Sequence, residues 1–398
     1  MKKFYTLVDA PIKGKRILIR ADLNVPMNDA GKILDDSRIR AAIPTIKYVT
    51  ELGGKAVIIS HLGRPEGRPI ASLSLAPIAH RLSELLGKDV AFSPDCIGDV
   101  AEKMTTRMQN GDVLLLENLR FHKEETDPSG SLEFARELEK MGDIYVNDAF
   151  ATAHRKHAST YELAKLFEFS VAGFLIEKET LILTNLLTQA QSPFYAIIGG
   201  SKISSKIGVL EALFPKIDGL FIGGAMVFTF MKALNINVGN SLLDEDHIDT
   251  AKHLIKKMKS KGIECHFPKD LVIANSISQE ADTQIIPFEE GIEEGWIGVD
   301  IGPETLLDWK EPLEGAGTIF WNGPMGIFEI DSFAKGTYGI AKIMADSDAI
   351  TIVGGGDSAS AVTKSGLSQK ITRISTGGGA TLEFIEFGTL PCIEVLET

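Results

Sequence analysis

Short apolar runs rich in β-branched residues recur from end to end of the chain, and a helix-like segment follows each of them. The first half carries RILIR (16–20), AVIIS (56–60), VLLLE (113–117) and DIYVND (143–148). The second carries YAIIGG (195–200), GLFIGG (219–224), KDLVIA (269–274), TIFWNG (318–323) and AITIVGGG (349–356). Runs this short, apolar on both faces and spaced by helical stretches, predict parallel strands in βαβ units. Between them, Leu73–Leu86 and Leu132–Met141 are apolar at three-to-four spacing, the period of a helix. The pattern predicts an α/β chain with two doubly wound, Rossmann-like parallel sheets.

A chain of 398 residues is too long for one hydrophobic core. The boundary expected from the pattern is the helical stretch near 171–190, between a first domain at 1–170 and a second at 191–384. A formal net charge of −13 disfavours a generic binder of nucleic acid or anionic membrane, both of which need broad positive fields. Cys96, Cys265 and Cys392 have no CxxC spacing, and read as reduced, buried thiols rather than a disulfide framework or zinc site. Neither a signal peptide nor a membrane span is legible, so a soluble cytoplasmic protein is expected.

Composition then splits the chain. Eleven of its twelve arginines lie within residues 1–155, whereas glycine doublets and triplets crowd the second half. Arginine offers a planar fork for carboxylate and phosphate. Strand–Gly–Gly–helix junctions let backbone N–H groups approach a nucleotide phosphate. One half reads as built for a small anion and the other for a nucleotide.

Ligands of doubly wound sheets bind beyond the carboxyl ends of the strands, so the residues that follow each run matter most. RILIR runs into Asp22-Leu23-Asn24, where alternation points Asp22 and Asn24 the same way. AVIIS runs into His61-Leu62-Gly63-Arg64, VLLLE reaches Arg120, and DIYVND leads to His154-Arg155. Any one loop arginine is more often a solvated surface residue, but three such strand ends together make that reading poor. Arg38 opens a helical pattern after an Asp/Ser cap, and an exposed helix position explains it equally well. In the second half, GGSKISSK is expected to open a helix with Lys202 and Lys206 on one face. Gly354-Gly355-Gly356-Asp357-Ser358 and Ser375-Thr376-Gly377-Gly378-Gly379 repeat the strand–glycine–helix pattern, with Asp357 a candidate for metal or phosphate chemistry. GxxxxGK[ST], a complete GxGxxG, HRD and DFG are all missing from the sequence, which sets aside P-loop enzymes, standard dinucleotide dehydrogenases and protein kinases.

RADLNVP, SHLGRP, ENLRFH, AHR, GGSKISSK, WNGPMGIFE, GGGDS and STGGGA stand in the order found in phosphoglycerate kinases, and the resemblance spans essentially the whole chain. It implies reversible phosphoryl transfer between 1,3-bisphosphoglycerate and MgADP, giving 3-phosphoglycerate and MgATP. Two domains joined by a hinge helix and closing on their substrates, a tail (385–398) returning to the first domain, and a monomer are implied as well. Asp22, Leu23, Asn24, His61, Leu62, Gly63, Arg64, Arg120, His154 and Arg155 would contact the triose substrate. Arg38, Lys202 and the backbone at Gly378 would act on the moving phosphoryl. Lys206, Gly302, Glu329, Gly355, Gly356, Asp357 and Ser358 would hold the nucleotide, Asp357 through Mg²⁺ and Ser358 as a helix cap. Arg373 departs from the family pattern by standing where many members carry histidine. The competing readings are another ATP-dependent carboxylate kinase, which would lack the Asp22/Asn24 and arginine set, and a silent scaffold, which should have lost Arg38 or Lys202.

Overall fold

The first unit, which runs to Leu181 and takes in the residues from Thr389 onward, is built on six parallel strands. These are β1 (Arg16–Ala21), β2 (Lys55–Ile59), β3 (Val90–Phe92), β4 (Val113–Leu115), β5 (Ile144–Asp148) and β6 (Ser170–Ala172), in the order β3-β4-β2-β1-β5-β6. The computed structural model describes residues 4–28, 30–375 and 377–397. Strands β1 and β5 are buried almost throughout, which is why they read as continuous apolar runs. The chain runs from β1 outward through β2 to β4 on one side and then crosses to β5 on the other, so the carboxyl ends of β1, β2 and β5 border a topological switch point.

The second unit, Ile182–Gly388, repeats this plan. Its large sheet comprises β7 (Phe194–Ile198), β8 (Gly219–Ile222), β9 (Glu264–His266), β13 (Thr318–Asn322), β14 (Ile350–Gly354) and β15 (Arg373–Ser375), ordered β15-β14-β13-β7-β8-β9 and all parallel. A separate antiparallel sheet holds β10 (Asp270–Ala274) between β11 (Thr283–Pro287) and β12 (Ile297–Ile301). Here KDLVIA differs from the parallel strand expected of it. Its neighbour β11 is largely exposed and has no apolar run to announce it.

The helix Phe174–Gln189 lies where the stretch 171–190 was expected to be helical. Its first turn is tied to the end of β5, where Asp148 Oδ1 accepts Leu175 N at 2.7 Å. Burial pushes the Asp148 carboxyl up to about 6, against opposing hydrogen bonds from Thr45, Leu175 and Ile176. The residues after Thr389 anchor the loop that follows β5: Cys392 N donates to Ala153 O at 3.0 Å and its thiol to Arg155 O at 3.3 Å. Cys96 and Cys392 are buried, but Cys265 is only partly so. Among the described residues no helix is long and apolar enough to cross a membrane.

Candidate active site

In the first unit, the four strand-end loops are stitched to one another by side chains. Asn24 Oδ1 accepts Gly63 N at 2.9 Å, and Leu23 N donates to Ser60 Oγ at 2.9 Å. Asn118 accepts from Leu62 N (3.1 Å) and Arg120 N (3.1 Å) and donates to Leu62 O (2.8 Å). Arg120 in turn donates to Gly63 O at 2.8 Å. Gly63 has φ +61°, and a Cβ there would lie 2.7 Å from the Leu73 side chain, so the turn that carries Arg64 requires glycine. Arg38, the second residue of the helix Ser37–Glu51, donates to the Asp22 carboxylate.

These loops gather positive charge. Burial first, then Arg20 and the neighbouring Arg155 and Arg64, lowers Arg120 to about 10. Burial, Arg20 and Arg120 push His157 down to about 3, and burial with Arg155 lowers His154. His61 is held well below the usual histidine range by burial and then by Arg20, Arg120 and Arg38. These histidines are therefore neutral donors or acceptors near neutral pH, and the cations repel each other. Among the described residues no carboxylate comes within ion-pair distance of Arg64, Arg120 or Arg155. Guanidinium groups concentrated in this way create a local positive potential that attracts anions.

In the second unit, a cavity of about 440 Å³ opens at the carboxyl ends of β7, β8 and β13. Apolar side chains including Phe228, Leu242, Ile277 and Ile327 line it, with Asp300, Glu329 and Asp357 among its polar groups. Gly200, Gly224 and Pro324 form a stretch of main chain along it. Gly200 N donates to Pro324 O at 3.0 Å and Gly224 N to Met325 O at 3.1 Å. A Cβ at Gly224 would fall 2.4 Å from Gly200 N, so the glycine doublets serve first to let strand ends touch. Room for a ligand exists instead at Gly356 and Gly378, where a Cβ would meet nothing within 4 Å. Lys206 donates to Asn322 Oδ1, and burial lowers its pKa against the pull of Asp357. Burial raises the Asp300 carboxyl to about 8, although it accepts Ile301 N at 2.9 Å and Gly336 N at 2.6 Å.

The phosphoglycerate kinase family model matches residues 7–387. The chain belongs to the phosphoglycerate kinase family. A phosphoglycerate kinase of Chlorobium phaeobacteroides (strain DSM 266 / SMG 266 / 2430) is 52% identical over 394 residues, covering 98% of each chain. The cytosolic phosphoglycerate kinase of Triticum aestivum is 50% identical, again with 98% of each covered. Among solved structures, phosphoglycerate kinase from Coxiella burnetii superposes with a TM-score of 0.87 at 38% identity, covering 99% of both chains. The activity is thus the family's glycolytic phosphotransfer between 1,3-bisphosphoglycerate and ADP, with 3-phosphoglycerate and ATP on the other side.

Against this phosphoglycerate kinase architecture, two local readings of the sequence need correction, the helical face shared by Lys202 and Lys206 and the helix cap assigned to Ser358. The helix after GGSKISSK starts only at Ile207, with Lys206 at its N-cap and Lys202 in the preceding loop, so the two lysines do not share a helical face. Gly302 is absent from the cavity lining: its N–H donates to Asp270 O at 3.0 Å, and the Asp270 carboxyl fills the place of its missing side chain. The cavity reaches Gly298 instead, where a Cβ would lie 2.2 Å from the Phe228 ring. Ser358 is the third residue of the helix Gly356–Lys364, whose N-cap is Gly355, and its buried Oγ accepts Gly323 N at 2.7 Å. Thr376 of STGGGA lies outside the described residues.

Sequence reading missed Arg20, Glu125 and His157. Arg20 and Glu125 are fully buried, with Arg20 Nη2 4.0 Å from Glu125 Oε1. Glu125 accepts from Ser159 Oγ at 2.7 Å and Ser159 N at 3.0 Å. The available signal was a charge closing an otherwise apolar strand, RILIR.

Proposed function

We propose that the first unit binds the triose and the second the nucleotide, and that closure of the two brings the reacting groups together. Arg64, Arg120 and Arg155 take the non-transferred phosphate, with His61 and His154 beside them and the Leu62–Gly63 backbone completing the loop. Asp22, Leu23 and Asn24 receive the glycerate portion. The observation that carries this reading is the cluster of Arg64, Arg120 and Arg155, none of which has a carboxylate within ion-pair distance among the described residues. An unpaired, mutually repelling cluster binds a multivalent anion most strongly.

The attacking carboxylate of 3-phosphoglycerate is already ionised at neutral pH, so no general base is required. Positioning and neutralisation of charge are sufficient for in-line phosphoryl transfer. Arg38, Lys202 and the backbone N–H groups at Gly378 supply that neutralisation. Lys206 meets the nucleotide phosphates, Glu329 the ribose side, and Gly355, Gly356 and Ser358 shape the turn beside them. Asp357 is an exposed carboxylate on the cavity wall, a hard oxygen donor suited to a Mg²⁺ ion that also binds nucleotide phosphates. That ion, when bound, neutralises phosphate charge. A monomer working in the cytoplasm fits the chain's acidity and its reduced thiols.

A coupled assay of ATP formation from 1,3-bisphosphoglycerate, MgADP and the purified chain tests the reaction. Calorimetry with 3-phosphoglycerate and with MgADP separately tests the division of labour. Loss of 3-phosphoglycerate binding in Lys206→Ala, with nucleotide binding intact, would refute it.

A further inference from the structure

Arg20 closes the apolar run of β1 and is fully buried, so it reaches no ligand directly. Each of its three nitrogens is engaged inside the protein: Nε donates to Ser159 Oγ at 2.8 Å, Nη1 to Ala21 O at 2.5 Å, and Nη2 toward His61 Nδ1 at 3.2 Å. A guanidinium has donors only and does not lose its proton in proteins. The ring nitrogen facing it must therefore be the acceptor. Turning the ring over would set a C–H against the guanidinium and waste a buried donor. A neutral imidazole carries one N–H proton, which leaves it on Nε2.

His61 is only 3% exposed. The charged and titratable groups that face it come from every surrounding element: Arg20 from β1, Arg38 from the helix Ser37–Glu51, Arg120 from the loop after β4, and His157 from the loop after β5. Burial first, and then the three cations, keep the ring uncharged. Its Nε2 has no hydrogen-bond partner among the described residues. This matters for an anion. An uncharged ring with its proton on Nε2 presents a donor; the other tautomer would present a lone pair to phosphate or carboxylate oxygen and repel it.

We propose that Arg20, held by Glu125 and Ser159, is a positioning residue that fixes His61 as the Nε2–H tautomer, so that His61 donates a hydrogen bond to the anionic substrate. The inference deepens the reading of the first unit as the triose-phosphate site and rests on it.

The first test needs no substrate. In the full-length protein labelled with ¹⁵N at histidine, with the His61 signal assigned through His61→Gln, ring nitrogens are followed from about pH 5.5 to 8. Nδ1 should be bare and Nε2 protonated throughout; a proton on Nδ1, or a mixture of tautomers, would overturn the proposal. The second test replaces the buried ion pair by amides, Arg20→Gln with Glu125→Gln, so that no lone charge is left inside. Its His61 should become a mixture of tautomers, and KM for 3-phosphoglycerate should rise about tenfold, the loss of one hydrogen bond to a charged group. Values of kcat and of KM for MgADP should move little. Arg20→Lys, which still offers only donors, should restore the Nε2–H form. An unchanged ring and KM in the amide pair would overturn the proposal, while the wild-type spectrum decides even if that variant does not fold. A fixed Nε2–H ring together with undiminished 3-phosphoglycerate binding by His61→Gln would overturn the site assignment and leave the tautomer standing.

Discussion

Arg38 is paired with Asp22: its guanidinium donates to a carboxylate whose side chain is 6% exposed, while Arg38 itself remains 33% exposed. One end of the arginine is tethered while the side chain stays partly open to solvent. A tethered cation of this kind is pre-oriented for charge that develops during reaction.

Arg38→Ala should therefore lower kcat by about 10²–10³, the usual cost of removing one stabiliser of transition-state charge. MgADP affinity should stay within twofold or so of wild type. Steady-state kinetics with nucleotide calorimetry checks both, and normal turnover would remove Arg38 from the mechanism.

Arg64→Ala and Arg155→Ala should each weaken 3-phosphoglycerate binding by roughly 1.5–3 kcal/mol, as for a hydrogen bond to a charged group. Neither should alter nucleotide binding. Equal losses for both ligands would contradict the division between the units.

How much of this could be read beforehand depended on where each residue's partners lie. Arg64, Arg120 and Arg155 were legible because strand ends of doubly wound sheets are ligand positions and arginine there has a chemical reason. Arg20 was not, since its partners Ser159 and Glu125 lie more than a hundred residues away in sequence and meet it only after β1 pairs with β5. The glycines were ambiguous for a different reason. Gly302 and Gly298 are four apart in one segment, and only the packing of Asp270 against the first and Phe228 against the second separates scaffold from cavity wall. The central strands of both large sheets were readable from runs buried on two faces, but the short edge strands β3, β9 and β15 and the largely exposed β11 lack that signature.

Gly298→Ala puts a methyl group into the Phe228 ring, which must swing within the cavity that it lines. MgADP affinity should fall about tenfold, with 3-phosphoglycerate affinity unchanged. The same change at Gly302, pressed against Asp270, should instead reduce thermal stability more than it reduces nucleotide affinity. A reversed pattern would assign the nucleotide contact to Gly302.

Asp148 gives a dependence on pH. Its folded pKa of about 6 stands above the ordinary 3.8, so between these values the native state holds more protons than the unfolded chain. Stability contributed by this group is then full below about pH 4 and falls as pH rises through about 6. The loss is on the order of 2–3 kcal/mol. Asp148→Asn, which cannot ionise, should gain on wild type in unfolding midpoint as pH rises from about 4 to about 7. A gap independent of pH would mean that the carboxyl is not ionising in that window.

The touching strand ends at Gly200, Gly224 and Pro324 bear on how this enzyme could diverge. Where a binding surface is main chain packed on main chain, a codon change has no side chain to trade and can only break the contact. That part of the cavity is effectively frozen. New ligand preference has to be written through the side chains that line the rest of the cavity, Phe228, Leu242, Ile277 and Ile327. A library confined to those four positions should yield folded proteins with altered base selectivity, while one confined to the glycines should yield mostly proteins that do not fold.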